Sequence, residues 1–458
     1  MLARNRFQYE LATGRATLPV TIIICLIMYG ITYQEKTDLL SLAIHGAIVY
    51  CLIELNTTFS LIRTRTTLHA ALFLFFLSGL PFLHTYSHEQ WIPLLFTVSF
   101  SYLFRSYESV YAPIPVFHCF LCLGISSFLL PQVLYFVPLI YFYMIGLRAF
   151  TLRTFFAGLI GLLVPYWIAL AYHLYAGNME ATWLPFKALA HFPPIDYAIL
   201  SLSQLVSGGI AILFIAICSV ECILHSYQDK VQTRIMLRVL IITGIGTLAC
   251  MLLLPSHFNT YFLMTLVVGS VMGGHLLALT FNRFTRIFLW VSLGIWTCVC
   301  IMNLWMHLFN FLIDWGYWGM FLSAFLAGTI LPFSSEVVLL ACIGLGLDPV
   351  WSTLFTTAGN ALGGFTCYWI GRIGKTEWIE KYFKVDKKQM DKTIRFIHGR
   401  GSWMAFFSFL PVIGDALLIA LGFMRGNVWI TTIAMTIGKL ARYAIIVATA
   451  LGVFRFIG

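Results

Sequence analysis

Two acids and two bases stand in stretches of this chain that are otherwise fit for lipid. Glu336 follows Pro332 by four positions in L-P-F-S-S-E-V-V-L-L-A (Leu331 to Ala341). Asp415 follows Pro411 by four in L-P-V-I-G-D-A-L-L-I-A (Leu410 to Ala420). Lys439 and Arg442 lie three apart in the last apolar run, so they share a helical face. An ionisable group in hydrocarbon is expensive and is a functional candidate by default. A helix-breaking proline is tolerated there only where the broken backbone lines a protein cavity. Matching breaks in two halves of a chain point to a transporter's binding site. The four groups read as one polar cluster, with acids for proton coupling and a cationic face for a phosphate head group. The competing reading is a pair of structural intramembrane salt bridges.

The two segments are copies of a longer unit. Each is preceded by G-x-W-x-x-F, at Gly316, Trp318 and Phe321 and at Gly401, Trp403 and Phe406. Each is followed by Val-Trp, at Val350–Trp351 and Val428–Trp429. Each then carries a glycine and a polar residue, Gly359–Asn360 and Gly438–Lys439, with both glycines 28 positions after the leucine of their L-P. Gly359 and Gly363 form G-x-x-x-G with Gly364 adjacent, which favours close helix packing. Gly414, just before Asp415, suits a sharp turn at a hairpin tip.

The setting of these residues is a membrane. The 458 residues are 60% hydrophobic and 10% charged, with a mean hydropathy of +0.89, whereas soluble domains carry about 25% charged residues. Apolar runs at 18–33, 38–60, 67–84, 90–104, 113–130, 132–147, 154–175, 197–224, 238–254, 258–281 and 286–313 predict an N-terminal bundle of about eleven spans over residues 1–313. Short alternating strands, the mark of a transmembrane barrel, are lacking. The N-terminal arginines before the first run resemble a signal n-region, but no small-residue cleavage site follows, so the run reads as an uncleaved span. The net charge of +10 is spread between apolar runs, so it reports topology and not nucleic-acid binding. Cys119 and Cys122, beside His118, form C-x-x-C inside an apolar run and read as small packed hydrophobes. Glu54 lies within the second run, where a partner inside the bundle is expected. No zinc, P-loop or nucleophile-elbow signature occurs, so no catalytic residue, metal or cofactor is expected.

Alternating basic loops place the N-terminus in the cytoplasm and Asp314 outside. The stretch 372–400 holds nine basic residues against four acids and interleaves apolar residues at roughly helical spacing. It reads as a cytoplasmic segment, either an interfacial amphipathic helix or a solvated connector. Arg372, at its start, fits a snorkelling role. If 319–346 enters and returns outside and 402–424 enters and returns inside, 372–400 falls in the cytoplasm as its charge requires. The module 314–458 then contains two re-entrant hairpins of opposite orientation, an inverted repeat.

The segment from about Trp315 to Phe456 resembles the DedA family, also called the VTT or SNARE-associated group, and within it a YqaA-like branch. The likeness rests on G-Y-W-G-M-F-L-S-A-F-L-A-G-T-I-L-P-F-S-S-E, G-N-A-L-G-G-x-x-x-Y-W-I-G-R, F-L-P-V-I-G-D and G-K-L-A-R-Y. The resemblance implies two opposed hairpins in a bacterial inner-membrane protein. It also implies movement of lipids or lipid-linked carriers such as undecaprenyl phosphate, with proton coupling in some members. The family's first acid matches Glu336. Its better-studied branch flanks the second proline with arginines; here Phe409–Leu410 precede Pro411 and Gly414–Asp415 follow it. Lys439 and Arg442 would then supply that charge from the neighbouring helix.

The expected protein is an all-α polytopic membrane protein, a multi-span bundle followed by a DedA-like module, acting as a transporter or flippase of an anionic phospholipid or polyprenyl-phosphate-type substrate. A non-transporting scaffold or envelope-assembly factor is the alternative, and a membrane transferase acting on lipid carriers ranks last. Oligomerisation is left open.

Overall fold

The structure, a computed structural model, describes residues 6–178, 180–190, 194–329, 334–373, 401–410 and 413–457. It is helical, with no strand among the described residues. The chain divides into two units, Met1–Leu304 and Trp305–Gly458.

The first unit comprises α1 (Arg6–Thr13), α2 (Thr17–Thr32), α3 (Asp38–Phe59), α4 (Leu68–Ser78), α5 (Trp91–Arg105), α6 (Pro113–Leu129), α7 (Phe136–Gly146), α8 (Leu152–Tyr175), α9 (Glu180–Ala190), α10 (Leu202–His225), α11 (Val231–Leu253), α12 (Phe258–Leu279) and most of α13 (Arg283–Asp314). At its centre is α12, with 20 of its 22 residues buried. A helix apolar on every side belongs in a core, and α4, α5, α10 and α11 pack around it.

Among the described residues, seven helices are long and apolar enough to cross a membrane, or eight if α1 and α2 count as one bent span. Six of the seven, α3, α8 and α10 to α13, begin in the first unit. The runs at 67–84, 90–104, 113–130 and 132–147 form shorter helices of 11, 15, 17 and 11 residues. Prolines account for two of the interruptions. Pro81 and Pro131 each open a 3-10 turn after an extended or bridging residue, because proline disfavours helical geometry in the residue before it. Cys119 and Cys122 are buried, as packed hydrophobes should be. Glu54 is instead exposed and accepts the Thr58 hydroxyl at 3.1 Å, so the sequence expectation of a bundle partner does not hold.

Glu89, in a 3-10 turn before α5, accepts hydrogen bonds from His257 Nδ1 at 2.9 Å and from the Thr260 hydroxyl. Burial works to raise its pKa, but these two bonds outweigh it and hold the carboxyl below its usual 4.5. A lowered folded pKa gives stability that is complete above the unfolded value and fades as pH falls through the folded one. Glu89→Gln is therefore expected to cost about 1 kcal/mol at pH 7. The gap between variant and wild type should close as the medium is acidified below the carboxylate range. Unfolding midpoints of the detergent-purified chain across that range check this.

The second unit continues with α14 (Gly316–Ala327), α15 (Ser335–Gly344), α16 (Pro349–Ile373), a 3-10 segment (Gly401–Phe409), α17 (Ile413–Phe423) and α18 (Val428–Ile457). At about 1.5 Å per residue, or about 2 Å in the 3-10 segment, α14, α15, the 3-10 segment and α17 each reach under about 20 Å. None alone crosses a hydrocarbon core of about 30 Å. Pro332 and Pro411 lie outside the described residues, as does the basic stretch from 374 to 400.

Candidate functional site

The repeat has a direct structural expression. Helix α14 packs on α16 as the 3-10 segment packs on α18, and α16 and α18 pack on each other. The short helices meet the other copy unequally: α17 packs on α16, while α15 touches both α16 and α18. Two small cores carry the same correspondence. Met320, Leu339 and Cys342 occupy one, and their counterparts Ala405, Leu418 and Leu421 occupy the other. At the contact of each copy's first and last elements, a glycine meets a carbonyl. A Cβ on Gly359 would overlap the Phe321 carbonyl oxygen, and one on Gly438 would overlap that of Phe406.

Aligning Leu331 with Leu410 pairs Glu336 with Asp415, Asn360 with Lys439, Gly363 with Arg442 and Gly364 with Tyr443. The observed contacts follow that pairing. Asn360 Nδ2 donates to Tyr443 OH at 2.6 Å. In the mirrored contact Lys439 reaches Gly364, where a Cβ would stand 2.8 Å from Nζ. Residue 360 meets 443 while 364 meets 439, so α16 and α18 run antiparallel and the copies have opposite direction. Ser352 and its counterpart Thr431 are both buried, and neither hydroxyl has a hydrogen-bond partner among the described residues.

Charge is where the copies diverge. Arg442 forms an ion pair with Glu336 through Nη2 and donates from Nη1 to the Phe409 carbonyl at 2.8 Å. The counterpart of Arg442 is Gly363, which offers Asp415 nothing. Asp415 is half-buried, and among the described residues no hydrogen bond or ion pair reaches it. Lys439 and Arg442 act on it only as neighbouring charges. Lys439 is 3% exposed and donates to the Asn360 backbone oxygen at 2.7 Å and to its Oδ1. Among the described residues its positive charge is thus solvated by a neutral amide and paired with no acid. The α15 residue Ser335 closes the network, its hydroxyl 2.7 Å from Tyr443 OH.

All four sequence candidates therefore lie in one neighbourhood, formed by α15, α16, α17 and α18. Three further members, Asn360, Tyr443 and Ser335, escape a search for charges. Asn360 carried a signal all the same, since it occupies the repeat position of Lys439. Gly363 packs against the Phe325 carbonyl, and Gly364 makes room for the Lys439 ammonium. Gly414 differs from its expected role. It lies in the first turn of α17 without a positive φ, and a side chain there would overlap the Ser408 carbonyl. Close approach, not turn geometry, requires glycine at that position. Arg372 donates to Tyr368 OH at 2.7 Å and stands over the Tyr368 and Trp369 rings.

Fold and site together define a polytopic helical membrane protein with an internally repeated, charge-bearing module. A family model described as the VTT domain matches residues 331–450. Inner membrane protein YqaA of Escherichia coli (strain K12) is 33% identical over 133 residues, 28% of this chain and 87% of that protein. An uncharacterized protein of Haemophilus influenzae is 34% identical over 132 residues, 27% of this chain and 80% of that protein. The uncharacterized membrane protein YkoX of Bacillus subtilis (strain 168) is 34% identical over 86 residues, 18% and 39% of the two chains. The chain belongs to the VTT-domain, or DedA, family through its C-terminal segment. No solved structure matches it.

Proposed function

We propose that the repeated module moves an anionic phospholipid or a polyprenyl-phosphate-type lipid across the bacterial inner membrane, coupled to protons and without covalent chemistry. The observation that carries this reading is the uneven pairing of four charges. Glu336 is matched by Arg442, whereas among the described residues Lys439 and Asp415 have no direct counter-ion. A buried ammonium solvated by a neutral amide keeps its charge for an arriving phosphate. A carboxylate with no direct partner can gain or lose a proton without breaking a contact. In this reading α14 with α15, and the 3-10 segment with α17, are re-entrant hairpins from opposite faces, and the N-terminus is cytoplasmic. Broken helices of this kind are tolerated at membrane depth where they line a cavity.

The test is lipid movement by the purified full chain in liposomes. Fluorescent phosphatidylglycerol in the inner leaflet should become accessible to an external quencher faster than in protein-free vesicles. The rate should respond to an imposed pH gradient. No acceleration over protein-free vesicles would remove the transport reading.

The Glu336–Arg442 pair also supports a second reading, a scaffold whose charges only hold the module together. The swap Glu336→Arg with Arg442→Glu separates the two. A scaffold should keep its cellular function with the pair reversed, whereas a transporter should lose its rate.

A further inference from the structure

The first unit carries a separate basic pocket. A cavity of about 880 Å³ opens where α1 meets α2 and α3 meets the loop 60–67. That size lies within the range of small-ligand sites, about 300–1,000 Å³. Arg15, Arg63 and Arg65 line it, and among the described residues no acid does. Arg63 is held by the Gln228 carbonyl at 3.3 Å and the Gln228 side chain at 3.5 Å. Arg15 and Arg65 make no hydrogen bond or ion pair among the described residues. The Thr64 hydroxyl oxygen is buried, with no partner among the described residues.

The walls are built, not incidental. Chain direction turns by 82° between α1 and α2. Gly14 permits the bend, because a Cβ there would overlap the Glu10 carbonyl. On the other wall, Ser60 caps α3 in the left-handed conformation, with φ of 51°. Asn56 Oδ1 then accepts the Ile62 N–H at 2.8 Å, and the Thr66 hydroxyl donates to the Ala12 carbonyl, tying the loop to α1.

Position identifies the depth of the pocket. It lies at the start of apolar α2 and the end of apolar α3, two helices that run antiparallel, with Tyr29 of one meeting Ser41 and His45 of the other. Tyr9 of α1 and Trp290 are both exposed, as aromatic side chains are at head-group level; Trp290 stacks on Phe7, and Tyr9 meets Phe281 with its ring tilted. Leu18, Pro19 and Ile53 supply an apolar side to the cavity. The N-terminus of α2 has no side-chain cap and adds its positive dipole end.

We infer that this pocket binds the phosphate head group of an anionic phospholipid, with Arg15 and Arg65 on the phosphate and the acyl chains along Leu18 and Ile53. The inference is independent of the transport reading, because it rests on residues of the first unit alone.

Native mass spectrometry of the full chain in detergent provides the test, with dihexanoyl-phosphatidylglycerol, dihexanoyl-phosphatidylcholine and inorganic phosphate as probes. At about 1 kcal/mol per arginine, the glycerol lipid should bind about ten- to thirty-fold more tightly than the choline lipid. Arg15→Gln with Arg65→Gln should erase that preference, and Arg15→Lys with Arg65→Lys should keep most of it. Thr57→Trp should weaken both lipids by intruding on the cavity with the arginines in place. Equal binding of the two lipids, or an unchanged preference in the glutamine variant, would overturn the inference. Inorganic phosphate binding as tightly as the glycerol lipid would overturn the lipid as the occupant.

Discussion

Asp415→Asn is expected to abolish transport, by about 100-fold or more, while leaving the chain folded and inserted. The side chain keeps its size and loses only its proton site and charge. No hydrogen bond or ion pair among the described residues depends on that carboxylate, so stability should change by less than about 0.5 kcal/mol. Glu336→Gln is expected to abolish transport as well, but for mixed reasons. It strips Arg442 of its counter-ion. A buried pair broken on one side costs about 3–5 kcal/mol. Here the two side chains are 27% and 35% exposed, so about 1–2 kcal/mol is the realistic loss. The asparagine variant therefore separates proton handling from stability, and the glutamine variant does not. Rates in liposomes and unfolding midpoints in detergent, measured on the same preparations, give both quantities. Transport that survives Asp415→Asn and Glu336→Gln together would end the proton-coupling proposal and leave the charges as scaffolding.

The sequence made the members of the site visible but not their partners. Glu336, Asp415, Lys439 and Arg442 stood out because charge in an apolar run is rare. The repeat stood out because G-x-W-x-x-F and L-P-x-x-x-acid recur in order. Which cation takes which acid depends on how α18 meets α15 and α16, in contacts between residues 79 to 106 positions apart. Spacing along one helix cannot report such a contact. That is why an even four-charge cluster was the natural expectation, and why the lone position of Asp415 emerges only from the fold. Aligning the copies shows the cause, since Arg442 has glycine as its counterpart. Helix length was legible except where a proline opened a 3-10 turn, since Pro165 sits inside α8 without ending it. The run 258–281 became one central helix, whereas 67–84 stops at Gly79 and turns at Pro81.

Gly359→Leu and Gly438→Leu are expected to destabilise the module by matching amounts, about 3 kcal/mol or more each, and to remove most folded protein from detergent extracts. Each glycine faces the carbonyl oxygen of the phenylalanine in its own copy's G-x-W-x-x-F. A side chain there must push α16 off α14, or α18 off the 3-10 segment. Neither helix can yield cheaply, because α16 and α18 also pack on one another and carry Asn360, Lys439 and Tyr443 at their contact. Displacing either helix would draw Lys439 away from the amide that solvates it, so a mechanical insult at Gly359 becomes an electrostatic one in the other copy. Gly452→Ala is the control. That glycine is exposed, with nothing within 4 Å of an added Cβ. Helix propensity alone should make its replacement neutral or stabilising by about 0.5–1 kcal/mol. Unfolding midpoints and the monodisperse fraction after gel filtration measure all three. If Gly438→Leu were tolerated while Gly359→Leu was not, the copies would share sequence without sharing a mechanical role, and the pairing of Asn360 with Lys439 across the repeat would lose its basis.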